Sequence, residues 1–230
     1  MKPEMKPISS RNRTGKAWGM AGLFCLALAA AVQAQFTYTT NSPNTNTVTI
    51  TGYTGPGGIV EIPSEILGMT VIGIGDSAFE SFTNIAGVTI PSSVTVLGYH
   101  SFANCSNLTS ITLPNSITDI WDTAFGYCTS LTNITLPSSI TILRYNIFEG
   151  CSNLVRVEVG DNITTIEPMV FLNCSRLARF SIPDGVSSIG YSAFSGCRSV
   201  AEISIPNSVI YLGPGAFYWC TSLTNIIVPD

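Results

Sequence analysis

Residues 108–128 read LTSITLPNSITDIWDTAFGYC, and the same apolar, proline and cysteine positions return along the chain at a step of 23 residues. Seven phenylalanines keep this step, namely Phe79, Phe102, Phe125, Phe148, Phe171, Phe194 and Phe217. Six cysteines also keep it, namely Cys105, Cys128, Cys151, Cys174, Cys197 and Cys220. A fixed period of about 20–50 residues is typical of a solenoid, in which each unit buries its apolar side chains against its neighbours. The pattern therefore predicts one elongated domain over most of the 230 residues.

The first half of the unit predicts a short strand. Ile111 and Leu113 are two residues apart, so an extended segment places both on one face, with Ser110 and Thr112 on the other. Pro114 ends the strand, because proline has no N–H group to donate to a ladder.

The second half of the unit predicts two further short elements. Ile117 and Ile120 are three residues apart, which fits either a short second strand or a single helical turn. Residues 122–125 predict a short helix or 3₁₀ turn, with Ala124 and Phe125 facing inward. The predicted fold class is an α/β repeat: a right-handed solenoid with a parallel β-sheet, short strands and short helical turns.

The two ends of the repeat differ. Residues 36–39 and 47–51 alternate as strands around a polar turn, which predicts an N-terminal β-hairpin cap over residues 35–58. Residues 59–230 then hold about seven units, of which the last is partial. The first unit carries about five extra residues between Pro63 and Phe79. The last strand is followed by no polar cap, and a partner contact, dimerisation or a shortened gene would each account for that.

The N-terminal segment predicts export. Five Lys or Arg residues precede an apolar run, and Val32-Gln33-Ala34 fits cleavage before Gln35. Residues 1–34 are therefore interpreted as a signal peptide, and the protein is expected to be secreted or at the cell surface. The alternative is an uncleaved anchor, because residues 17–34 reach the roughly 18 residues at which a spanning helix becomes possible.

The charge balance excludes several partners. Without residues 1–34 the chain keeps five arginines, no lysine and thirteen acidic residues, a net charge of −8. Nucleic-acid binding needs clustered basic side chains to neutralise phosphates, so this class of function is not expected. Attachment to anionic lipid headgroups is disfavoured for the same reason, and no membrane insertion of residues 35–230 is expected.

The cysteine column has three interpretations. A ladder with one cysteine per coil does not converge on one point, so a tetrahedral metal site is not expected. Disulfides between neighbouring coils are conceivable in an exported chain, but parallel stacking at about 4.8 Å exceeds the usual Cβ separation of a disulfide. We expect a buried column of free thiols that react with a thiol reagent only after unfolding.

No catalytic, metal or cofactor site is expected elsewhere. His100 is the only histidine, and its column is otherwise occupied by unrelated residues, which indicates a surface turn. Asp119 and Asp122 are interpreted as solvated turn acids or a helix N-cap rather than as a cation site.

The outward strand positions are the best candidates for function. Most are small and polar, and charge concentrates in Arg156, Glu158, Arg179 and Glu202. Cross-strand ion pairs that protect the sheet from aggregation would explain these residues. The alternative is a partner-binding patch, in which alanine at Arg156 and Arg179 would weaken binding.

A second candidate surface is aromatic. Tyr99, Tyr145 and Tyr191 share one column, and Trp121 and Trp219 lie near it. Such side chains contact proteins or carbohydrates in some molecules and cover turns in others.

About nine recurring columns resemble the BspA-type leucine-rich repeat, whose unit is similar to Leu-x-x-Ile-x-Leu-Pro-x-Ser-Ile-x-x-Ile-x-x-x-Ala-Phe-x-x-Cys. The resemblance covers about residues 59–230. Departures are local: Phe82 replaces the first cysteine, Gly160 replaces a proline, and Ile147 and Val170 replace the small residue before phenylalanine. The resemblance implies a bacterial, exported, non-enzymatic module for adhesion or protein–protein binding, with an extracellular protein or glycan as partner.

Two other functions compete with this interpretation. The first is a structural or matrix component that self-associates through the uncapped C-terminal coil. The second is an extracellular hydrolase, which the scarcity of catalytic residues disfavours.

Overall fold

The computed structural model describes residues 33–228. The basic and apolar parts of the predicted signal peptide, and the last two residues, Pro229 and Asp230, lie outside this range. The described residues form seventeen strands: β1 Phe36–Thr40, β2 Thr47–Tyr53, β3 Gly58–Glu61, β4 Glu65–Ile66, β5 Met69–Ile74, β6 Ile85–Thr89, β7 Val96–Leu97, β8 Ser110–Thr112, β9 Asp119–Ile120, β10 Asn133–Thr135, β11 Ile142–Leu143, β12 Arg156–Glu158, β13 Thr165–Ile166, β14 Ser188–Ile189, β15 Glu202–Ser204, β16 Tyr211–Leu212 and β17 Asn225–Ile227.

Most coils contribute one strand to each of two parallel rows, and the coil that holds Arg179 has no strand in the first row. The first row pairs β3–β6–β8, β10–β12 and β15–β17. The second row pairs β2–β5–β7–β9 and β11–β13–β14–β16. Most partners in both rows stand 23 residues apart, as Ile134 and Val157 do. The predicted parallel repeat solenoid is therefore confirmed.

The first-row strands bury the side chains that the sequence pattern selects. In β8, β10, β12 and β15 the central residue is buried and the two flanking residues are exposed. A continuous stack of phenylalanine rings lies between the rows, with neighbouring centroids 4.9–5.9 Å apart from Phe79 to Phe217. Tyr53 extends this stack toward the N-terminus, 5.5 Å from Phe79.

The corner that was predicted to be a short helix or 3₁₀ turn is a series of turns, so the predicted helical element is not confirmed. Thr123, Phe125 and Tyr127 donate their backbone N–H groups to carbonyls of the next coil at 2.6–3.0 Å. The amides between them, of Ala124 and Gly126, donate to carbonyls three residues back, at 3.2 and 2.9 Å. An α-helix needs each of these amides for a carbonyl four residues back, so the bonds between coils take the place of an α-helix at this corner.

Residues with a positive φ angle, the left-handed region, occur at the same corner of successive coils. Thr123 and Tyr127 have φ angles of 59° and 60°. Their equivalents in other coils include Asn146, Asn173 and three glycines, residue types that adopt this conformation readily. This conformation turns alternate amides toward the neighbouring coil.

The N-terminal hairpin is part of the second row rather than a separate layer. β1 and β2 pair antiparallel, and β2 then pairs parallel with β5. Residues 35–58 therefore already contain the first strand of the second row. The extra residues of the first unit form the antiparallel pair of β4 and β5, whose turn uses Leu67 and Gly68 at φ 52° and 79°.

Candidate functional site

The four charged residues singled out from the sequence line one depression on the first strand row. Arg156 and Glu158 lie on β12, Glu202 lies on β15, and Arg179 lies on the coil between them. The depression has a volume of about 720 Å³, and apolar side chains form part of its lining. We call this surface the charged depression; its apolar lining includes Leu136, Val157, Val159, Ala178, Phe180 and Pro183.

The charges do not form the cross-strand ion pairs that were considered from the sequence. Arg156 pairs with Glu158 of its own strand at 2.7 Å, and Glu158 also accepts a hydrogen bond from Thr135 at 2.9 Å. Within residues 33–228 no carboxylate lies within 4.0 Å of the Arg179 guanidinium. Arg179 is therefore an exposed cation beside apolar side chains, with its hydrogen-bond donors available.

Phe180 distinguishes this coil from its neighbours. It occupies the inward column that Ile134, Val157 and Ile203 fill in other coils. Its larger ring stays only half-buried, with its centroid 4.8 Å from that of Phe171. Overpacking of this kind displaces the backbone.

The backbone at this coil is accordingly unpaired on one side. Arg179 makes only an isolated bridge to Arg156. In the part of the chain that the structure describes, no backbone hydrogen bond joins residues 178–182 to β15. Gly160, which stands where other coils have proline, also lines the opening.

The cysteines form one buried column of free thiols. Five are fully buried and Cys220 is half-buried. Each Sγ donates a hydrogen bond of 3.0–3.2 Å to the carbonyl of the phenylalanine 26 residues earlier. Burial raises the pKa of Cys105 and of Cys151 to about 12. The column thus links neighbouring coils and suppresses the reactive thiolate.

The remaining titratable candidates lie apart from one another. His100 is exposed on a left-handed turn with a φ of 54°. Asp119 pairs with Arg144 at 3.2 Å rather than with Asp122. Within residues 33–228 no group of three or more His, Cys, Asp or Glu side chains is placed to hold a metal ion.

The aromatic side chains divide into two surface clusters. Tyr145 and Tyr191 place their hydroxyl oxygens 3.3 Å apart. Tyr99 packs on Trp121 at a centroid distance of 5.0 Å. Arg144 covers Trp121 from the other neighbouring coil, with its Cζ 4.2 Å from the ring centroid. Trp219 is exposed on the last coil, outside both clusters.

Sequence reasoning did not identify Arg144 as part of the aromatic surface. The signal was present in the 23-residue register, since Trp121 and Arg144 occupy the same position in successive coils. Gly75 and Gly98 hold this position in the two preceding coils, and Gly190 and Gly213 hold it near the C-terminus. Comparing the residues at this position of the repeat from coil to coil shows that large side chains occupy this surface only in the middle of the solenoid.

These features define a leucine-rich repeat solenoid protein with an open, charged depression on one strand row. The sequence profile of the BspA type leucine rich repeat region matches residues 60–178 and 165–230, with six copies of the repeat. The chain belongs to this family, and the resemblance seen in the sequence is confirmed.

Crystal structures of related bacterial proteins share the fold. A leucine rich repeat protein of T. pallidum is 33% identical, with a TM-score of 0.79, covering 86% of this chain and 89% of its own. A leucine rich cell surface protein of Faecalibacterium prausnitzii is 24% identical, with a TM-score of 0.50, covering 84% and 74%. The pneumococcal vaccine antigen PcpA is 15% identical, with a TM-score of 0.54, covering 85% and 69%. The last two show a likeness of fold alone.

The search of curated proteins found no match. Within residues 33–228 no helix has the length and hydropathy that a membrane span requires.

Proposed function

We propose that this chain is an exported, non-enzymatic interaction module that binds an extracellular protein through the charged depression. The observation that carries the proposal is Arg179, an exposed guanidinium with no carboxylate partner within residues 33–228, beside the half-buried ring of Phe180. Arginine beside apolar contact area is the combination that recurs at the energetic centres of protein interfaces.

The side chains that line the depression indicate what kind of partner would bind there. A carboxylate of the partner would pair with Arg179, since a guanidinium presents a planar fork of donors to a carboxylate. An apolar side chain of the partner would cover Phe180 and Val159. Glu158 and Glu202, at the margin, would disfavour partners with further acidic groups nearby.

Export and a place at the cell surface are part of the proposal. The basic and apolar N-terminal segment supports export. Membership of a repeat family found in bacterial surface proteins supports the same localisation. The open solenoid surface supports binding rather than catalysis, because solenoids present extended surfaces to their partners.

Replacing Arg179 with alanine is expected to weaken binding of such a partner by about tenfold or more, because interface arginines that pair in a desolvated setting contribute about 2 kcal/mol or more. Arg176→Ala is the matched control. It removes the same charge from an exposed turn, where Arg176 donates to Asn153 at 3.2 Å, outside the depression.

The measurement is surface plasmon resonance of wild type and both variants against an array of purified extracellular proteins. At least one protein should bind the wild type and the Arg176 variant alike, and the Arg179 variant much more weakly. If every bound protein tolerates the loss of Arg179, the depression is not the binding site.

A second candidate function is self-association through the last coil, which one observation favours. Residues 209–228 contain no charged residue and leave several large apolar side chains exposed, among them Ile210, Tyr218 and Val228. The strands β16 and β17 there have an unpaired edge, which exposed strands without charged side chains readily use for pairing.

Ile210→Glu combined with Ile226→Glu is expected to keep the protein monomeric, since both charges would be buried in such a contact. Ile59→Glu is the matched control, because Ile59 is 78% exposed near the other end of the solenoid. In multi-angle light scattering from about 1 to about 100 µM, the molar mass of the wild type and of the Ile59 variant should rise with concentration. The molar mass of the double variant should stay that of the monomer. A wild type that stays monomeric over this range removes the candidate.

A further inference from the structure

A trough whose lining includes three glycines lies on the second strand row. Gly73, Gly75 and Gly98 line it together with Tyr99 and Trp121, and its volume is about 390 Å³. We call this surface the glycine trough. Its size falls at the lower end of small-molecule sites, which span about 300–1,000 Å³.

Close packing of the coils keeps the trough open. A Cβ atom on Gly75 would lie 2.9 Å from the carbonyl oxygen of Ile50, and one on Gly98 would lie 2.5 Å from Oδ1 of Asp76. Neither position accepts a larger residue without displacement. Backbone of two successive coils therefore forms part of the surface that a ligand would meet.

An aromatic wall ends the trough where glycine gives way to tryptophan in the same column. Arg144 approaches Trp121 from the next coil, and Asp119 holds the guanidinium at 3.2 Å. Tyr99 lies on the side of the preceding coil and is 40% exposed. Trp121 is thus fixed between two neighbours, and Tyr99 offers the accessible aromatic surface. A rigid wall of this kind binds with a smaller loss of conformational entropy.

Hydrogen-bonding groups surround the accessible ring. Asp76 Oδ1 accepts the backbone N–H of Tyr99 at 2.9 Å, and within residues 33–228 Oδ2 accepts no hydrogen bond. Thr95 Oγ1 donates to the carbonyl of Ile72 at 3.2 Å and keeps lone pairs for an incoming donor. The trough therefore presents acceptors beside an aromatic ring, and no cationic side chain is among its lining residues.

We propose that the glycine trough binds a neutral pyranose unit of an oligosaccharide. The C–H face of a pyranose is apolar and packs on an aromatic ring, while its hydroxyl groups donate to carboxylate and hydroxyl oxygens at the edge. Asp76 and the net charge of −8 over residues 35–230 disfavour anionic sugars. The site is distinct from the charged depression, so sugar binding here is independent of protein binding there.

The test is saturation-transfer NMR on the protein exported from cells that express the full chain, with maltotriose, cellotriose, chitotriose and mannotriose as probes. At least one trisaccharide is expected to bind. Tyr99→Ala and Asp76→Asn should each weaken that binding by about tenfold, whereas Tyr99→Phe, which keeps the ring, should retain it.

Trp219→Ala is the matched aromatic control, since Trp219 is an exposed tryptophan on the last coil. Circular dichroism should show that all variants keep the wild-type fold. The proposal is overturned if no trisaccharide binds up to about 10 mM. It is also overturned if the folded Tyr99→Ala protein binds as the wild type does, or if Trp219→Ala loses binding equally.

Discussion

Phe148→Ala is expected to lower the free energy of unfolding by about 3–5 kcal/mol, the range for a fully buried phenylalanine. The ring is completely buried and stacks on Phe125 at 5.8 Å and on Phe171 at 5.7 Å. A solenoid is stabilised mainly by contacts between adjacent coils. A cavity in the middle of the stack therefore weakens two coil interfaces at once.

Urea denaturation followed by circular dichroism measures the loss. Phe217→Ala is the matched control, because Phe217 is only half-buried and stacks on a single ring, that of Phe194, at 5.4 Å. We expect about half the effect for this variant. Equal losses in the two variants would show that the stack does not couple the coils.

The thiol of Cys151 is expected to react with a maleimide at pH 8 roughly a thousandfold more slowly in the folded protein than in urea. Burial raises its pKa to about 12, whereas an unfolded cysteine has a pKa of about 8.5. The reactive thiolate is therefore scarcer by roughly three orders of magnitude, before restricted access is counted. The folded rate should rise about tenfold per pH unit between about pH 8 and pH 10, because the folded thiol is still far below its pKa.

Mass spectrometry of labelled peptides over time separates the six sites. Cys220 is the internal control, since it is only half-buried and burial raises its pKa less than that of its buried neighbours. It should be labelled first. Rapid labelling of Cys151, or its recovery as a disulfide from protein purified without reductant, would contradict the buried column.

The repeat pattern was sufficient to predict the solenoid, because each column has one physical requirement that recurs in every coil. Ile111, Phe125 and Cys128 are buried as expected. The short helix or 3₁₀ turn predicted at the corner is not confirmed, because local propensity does not reveal competition from the next coil. The amides of Thr123 and Phe125 bond to that coil instead of closing a helix.

The candidate site was predictable in its residues but not in its shape. Arg156 and Arg179 stood out as charges among small polar side chains. The depression lies where Phe180 stands in a column of smaller side chains, and the apolar pattern counts that residue as a match. The glycine trough was missed for a related reason, because Gly98 and Trp121 share a register but have opposite effects on the surface.

The hydrogen bond from each thiol to the phenylalanine carbonyl of the preceding coil has a consequence for how genes of this kind change length. The bond always spans 26 residues, from Cys128 to Phe102 as from Cys197 to Phe171. Duplicating or deleting one whole repeat in the DNA recreates the same bond at the new junction. Any other number of codons would leave a sulfur facing the wrong carbonyl. Selection should therefore retain insertions and deletions of whole coils. Such changes alter the length of the solenoid without altering the packing of its interior.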